Sequence, residues 1–169
     1  MWKDDKTDFS HIRRVAKQID GIDEEDLIIP PLLFLRSLWY FLLGGDTKLA
    51  RAELIKIKGS RDSVWYFNMG FLYAYDGRMK KATHMYSQGA LYEMRGDLIA
   101  ELESFMCWVL ENEPRKFQIH YCFGLLNQNL KGDNIQAKKD FNLFLAKCIG
   151  NQFAVYQRKA RAFIEAHNQ

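Results

Sequence analysis

The chain is poor in proline and in cysteine, and it has no glycine-rich loop. It carries only three prolines in 169 residues, so most of its length is free of the residue that breaks helices. Its cysteines, Cys107, Cys122 and Cys148, are odd in number and widely spaced. No Cys-x-x-Cys pair occurs, so neither a zinc site nor a disulfide framework is suggested. Free buried thiols in a reducing compartment fit better and imply a cytoplasmic protein. Apart from Gly44-Gly45 the glycines stand singly, which argues against a phosphate-binding loop. No basic segment followed by an apolar core opens the chain, so no signal peptide is visible. Charge of one sign is also scarce. The net +3 is scattered over Arg13-Arg14, Lys80-Lys81, Lys138-Lys139 and the stretch from Arg158 to Arg161. Nucleic-acid binding wants a concentrated basic face, so no nucleic-acid partner is implied.

What remains is apolar and aromatic. Hydrophobic residues make up 48% of the chain against 27% charged, which supports one packed domain and excludes disorder. One long apolar run, Leu27 to Leu43, is broken by Pro30-Pro31 and Arg36. It falls short of the about 20 apolar residues that a membrane span needs. A mostly buried helix is the better reading, and its surplus of apolar surface predicts self-association as a homodimer.

Apolar residues recur at helical spacing along the chain, and no strand-like alternation appears. Helices are expected over Ser10 to Ile19, Pro31 to Leu43, Thr47 to Ile57, Val64 to Tyr75, Arg78 to Met94 and Leu98 to Leu110. Three more are expected over Phe117 to Leu130, Asp133 to Cys148 and Gln152 to Ala166. Asp46 or Thr47, and Asp62-Ser63, are placed to cap the helices that follow them. The fold class is all-α.

Three helix junctions share one pattern. Gly45, Gly77 and Gly132 each end an aromatic-rich stretch, and each is followed five residues later by alanine: Ala50, Ala82 and Ala137. The second junction is flanked by Tyr66, Met69, Gly70 and Tyr73 before the glycine and by Tyr86 after it. The last is flanked by Tyr121, Phe123 and Gly124 before and Phe141 after, with one extra residue ahead of its turn. These residues resemble tetratricopeptide repeats, helix pairs of about 34 residues stacked into a solenoid. The repeat-like units would be residues 31–58, 63–94, 79–112 and 115–148, closed by a C-terminal helix over 152–166. Spacing between the turn glycines is uneven, at 32, 19 and 36 residues for Gly45, Gly77, Gly96 and Gly132. Arg78 to Met94 would therefore be shared by two units. Leu38 replaces the small residue preferred in the first unit. Glu101 replaces alanine in the third, where looser packing is expected.

The order of parts also resembles the tetratricopeptide chaperones of type III secretion, which hold apolar translocator proteins before export. Asp62-Ser63, Tyr86-Ser87 with Gly89-Ala90, and Glu113-Pro114-Arg115 carry that likeness; the inserted stretch from Leu91 to Asn112 departs from it. The repeat resemblance implies a function in binding another protein, along a concave face lined by the first helix of each pair. Its lining would comprise Leu35, Trp39 and Leu42, then Phe67, Phe71 and Tyr75, then Gln118, Tyr121, Leu125 and Gln128. Such a groove suits an extended apolar segment whose backbone bonds to Gln118 or Gln128. Each of these aromatics taken alone is also a core candidate.

No cofactor and no enzyme activity are implied. His11, His84, His120 and His167 fall on separate helices. His120 and Cys122 are two apart, a spacing that turns them away from each other on a helix. The same holds for Glu101 and Glu103.

Overall fold

The computed structural model describes residues 37–38, 40–41, 45–57, 59 and 61–168. Among them are seven helices and no strand: α1 (Thr47–Lys56), α2 (Ser63–Tyr75), α3 (Met79–Gly89), α4 (Gly96–Asn112), α5 (Ile119–Leu126), α6 (Asn134–Lys147) and α7 (Ala154–Ala166). The described residues are all-α, as the periodicity predicts. The helix expected at Ser10 to Ile19 lies outside the described residues.

Aspartates set three of the helix starts. Asp46, Asp62 and Asp133 each accept a hydrogen bond from the backbone N–H three residues on, at 2.9, 3.0 and 2.9 Å. Each satisfies an orphan donor and puts negative charge at the positive end of the helix dipole. Gly45, Gly77 and Gly132 take φ of 61°, 73° and 65°, the left-handed turn that glycine adopts without penalty. Gly96 is not one of these; it is the first residue of α4. The uneven spacing of turn glycines therefore reflects a helix start at Gly96 rather than a fourth turn of the same kind.

The expected helix from Arg78 to Met94 stops at Gly89. A Cβ at Gly89 would lie 3.0 Å from Tyr66 Cβ and 3.1 Å from Phe67 Cζ, so α2 and α3 are in close contact there. Beyond it the N–H groups of Leu91 and Tyr92 bond back to Gln88 and Gly89. Tyr92 then stacks on Tyr66 with ring centroids 5.7 Å apart. That stacking replaces another helical turn.

Two hairpins are built alike. Gly70 of α2 faces the ring of Tyr86 in α3, and Gly124 of α5 faces the ring of Phe141 in α6. Three residues before each glycine, on the same helical face, an aromatic joins the contact. Phe67 meets Tyr86 edge-on at 5.3 Å, and Tyr121 meets Phe141 at 5.2 Å. The second hairpin has one more residue between glycine and ring. It is taken up where α5 runs on into a π turn, Asn127–Lys131. Such a turn holds one residue more than an α-helical path. The N–H of Asp133 still closes onto the Asn127 carbonyl at 2.9 Å.

The second hairpin packs directly on the first, through α5 against α2 and α3. Helix α4 lies against α2: Phe105 meets Phe71 at 5.1 Å and Phe41 at 5.8 Å, both edge-on. At the far end α7 covers α6 and α5, with Phe163 on Phe141 at 5.0 Å and Tyr156 on Tyr121 at 5.4 Å.

Candidate partner-binding surfaces

The groove residues predicted on α2 and at the start of α5 are buried, although Phe67 and Tyr121 each contribute to the lining of a cleft. Phe67, Phe71 and Tyr75 are 1%, 3% and 8% exposed, and Gln118 and Tyr121 are 5% and 3%. Phe67 and Tyr121 sit three residues before a close-approach glycine, so helical phase turns them onto the partner helix of their own hairpin. Phe71 and Tyr75 follow Phe67 at four-residue steps along one stripe of α2, and that side is filled. Phe41 packs edge-on against both, at 5.3 and 4.9 Å, and Phe105 of α4 covers Phe71. Helix α4 thus covers this side of α2. Leu35, Trp39 and Leu42 lie outside the described residues, as does most of the run proposed for self-association. Within that run Ser37 is buried and donates to the Ala50 carbonyl at 2.8 Å, and Phe41 is in the core.

Gln118 bonds to this chain's own backbone. Its Nε2 donates to the Ala74 carbonyl at 2.9 Å, and Lys116 Nζ reaches the Tyr75 carbonyl at 3.0 Å. Lys116 thereby serves a carbonyl left over at the end of α2; the Ala74 carbonyl accepts the Gly77 N–H at 2.8 Å as well. The Tyr75 hydroxyl donates to Glu113 Oε1 at 2.6 Å. Burial, and then that carboxylate, hold its phenol well above the ordinary tyrosine range.

Leu125 and Gln128 remain partly accessible. With Tyr121 they line a cleft of about 530 Å³ between α3, α5 and α7. Lys80, Thr83, His84 and Ser87 recur every three or four residues and form the α3 wall. Lys159 and Phe163 form the α7 wall. A neighbouring cleft of about 410 Å³ shares Lys80 and adds Arg78, Lys81, Gln152 and Tyr156. A third, of about 570 Å³, is apolar and lies between Leu38, α2 and α4, with Glu101 among its lining residues. Glu101 is exposed.

Thiol and imidazole groups are dispersed. Cys122 is fully buried and its thiol is pushed up to about 12 by desolvation. His120 is half-buried, and burial followed by Lys147 lowers its pKa. His167 is exposed and stacks on Phe163 at 4.1 Å. Among the described residues no group of three or more His, Cys, Asp or Glu is placed to hold a metal ion, and no helix is long and apolar enough to cross a membrane.

The polar centre that the sequence did not reveal is Asn127–Asp140. Asn127, in the π turn, donates Nδ2 to Asp140 Oδ2 at 2.7 Å, and Gln136 donates to the other oxygen at 3.2 Å. Asn127 Oδ1 is buried without a partner among the described residues. Desolvation is the largest influence on Asp140 and raises its pKa. The only sequence signal for this pair was the extra residue before Gly132. No protein-family model, curated protein or solved structure matches the chain.

Proposed function

We propose that this chain is a tetratricopeptide-like repeat protein that acts by holding another polypeptide rather than by catalysis. The observation that carries the reading is the duplicated contact of Gly70 on Tyr86 and Gly124 on Phe141. A glycine pressed onto an aromatic at the same place in two stacked hairpins is the mark of a repeat, and stacked repeats serve mainly as binding surfaces. The seat of binding moves from the filled face of α2 to the cleft at Leu125 and Gln128. In its finer form the reading is a cytoplasmic chaperone or adaptor for a protein awaiting export.

Affinity capture from lysate of the source cell tests it, with the full chain and a Leu125→Ser/Gln128→Ala variant as baits of matched thermal stability. A polypeptide held by wild type and lost by the variant is expected. A secreted client would favour the chaperone form. Equal capture by both baits would remove the cleft as the binding seat. The absence of any polypeptide specific to the wild-type bait would overturn the reading.

A further inference from the structure

We infer that the cleft between α3, α5 and α7 takes an acidic peptide segment of a partner protein, anchored by one apolar side chain. The inference rests on the proposed partner-binding role and deepens it. Lys80 and Lys159 stand exposed on opposite walls of the cleft, and Arg78 is exposed in the adjoining one. None of the three makes an ion pair with another described residue, and neither cleft has a carboxylate among the described residues of its lining. Lys159 Nζ also lies 6.0 Å over the Tyr156 ring, a contact that leaves its charge unneutralised; cations of one sign around a concave surface concentrate potential there and attract the opposite charge.

The floor supplies the second half of the recognition. Leu125 is partly accessible in the floor and offers an apolar contact for one side chain. Gln128 and Asn129, on the π turn, make no side-chain hydrogen bond with another described residue, so their amides are available to peptide carbonyls or carboxylates. Single-stranded nucleic acid fits less well, because it needs open ring faces on which bases stack. Tyr121 and Phe141 are buried, and Phe163 already carries His167 on its ring.

Fluorescence anisotropy with the full chain tests the inference. The probe is a labelled octapeptide of alternating Glu and Asp with one central Leu. Its controls are the Gln/Asn analogue, the analogue with Ser for Leu, and an eight-nucleotide DNA strand. The acidic Leu peptide should bind at low salt and weaken as ionic strength rises. Both peptide analogues should bind more weakly. Lys80→Glu with Lys159→Glu should lower affinity at least about tenfold, since charge-assisted contacts are the strong ones. Lys48→Glu with Lys139→Glu, exposed lysines outside both clefts, changes net charge equally and should leave affinity unchanged. Equal losses in the two variants would overturn the inference, as would tight binding of the neutral peptide or the DNA. A gain in affinity on replacing Asp23, Glu24, Glu25 and Asp26 by their amides would also overturn it, because the occupant would then be the chain's own acidic segment. If the peptide fails to bind while capture still depends on Leu125 and Gln128, only the acidic chemistry falls and the partner-binding reading stands.

Discussion

Gly124→Ala is the substitution whose outcome depends most directly on the hairpin geometry. An alanine Cβ there would lie 2.4, 2.6 and 2.7 Å from three atoms of the Phe141 ring. The ring cannot swing aside freely, because it is 2% exposed and Tyr121 and Phe163 pack against it at 5.2 and 5.0 Å. Overpacking of this kind costs about 1–3 kcal/mol, and a contact with a confined ring belongs at the upper end. Alanine recovers about 1 kcal/mol over glycine inside a helix. The balance is a loss of about 2 kcal/mol, which for a chain of this length lowers the melting temperature by about 4–8 °C. Gly96→Ala is the control, since nothing lies within 4 Å of its Cβ; it should be neutral or slightly stabilising. Urea unfolding followed by far-UV circular dichroism measures both. Adding Phe141→Leu to Gly124→Ala should cost less than the sum of the two single changes, because the smaller side chain relieves the clash. A Gly124→Ala chain as stable as wild type, or strictly additive costs, would refute the close approach.

Three further outcomes follow from named contacts. Asp140 has a folded-state pKa raised mainly by burial, so its neutral form stabilises the fold fully below the unfolded value of about 3.9. That contribution is lost as pH rises through the folded pKa. Asp140→Asn should therefore gain on wild type as pH climbs from about 4, and urea midpoints that keep a constant separation across pH would contradict this. Gln118→Ala should destabilise by about 1 kcal/mol, because it removes a buried side-chain donor from the Ala74 carbonyl, which then keeps the Gly77 N–H at 2.8 Å; an unchanged urea midpoint would return Gln118 to the surface. In native protein, iodoacetamide should label the exposed Cys107 before the buried Cys122, and peptide mapping that finds Cys122 labelled first would contradict its burial.

Much of the fold was legible because local signals decide it. The aspartate caps at Asp46 and Asp62 and the turns at Gly45, Gly77 and Gly132 depend on a few neighbouring residues, and each appears at its expected place. The end of α3 was misjudged because Tyr92 leaves the helix to stack on Tyr66, a contact that spacing along one helix cannot show. The candidate site was harder to read. Repeat position suggested that Phe67 and Phe71 face inward, but it could not place α4 over α2, where Phe105 covers Phe71. Lys80 and Lys159 are far apart in sequence, and only the stacking of hairpin and terminal helix brings them to one cleft.

In the π turn at Asn127–Lys131, chain length is decoupled from rotational phase. In an ordinary α-helix one added residue swings everything beyond it by about 100°, and a downstream hairpin contact would lose its alignment. Here the surplus is stored within one turn, so Gly132 and Phe141 keep the same relation to α5 that Gly77 and Tyr86 keep to α2. The residues that carry the surplus include Gln128 and Asn129, which face the polar cleft. A one-codon change at this turn would alter what that cleft displays while leaving the hairpin beneath it in register.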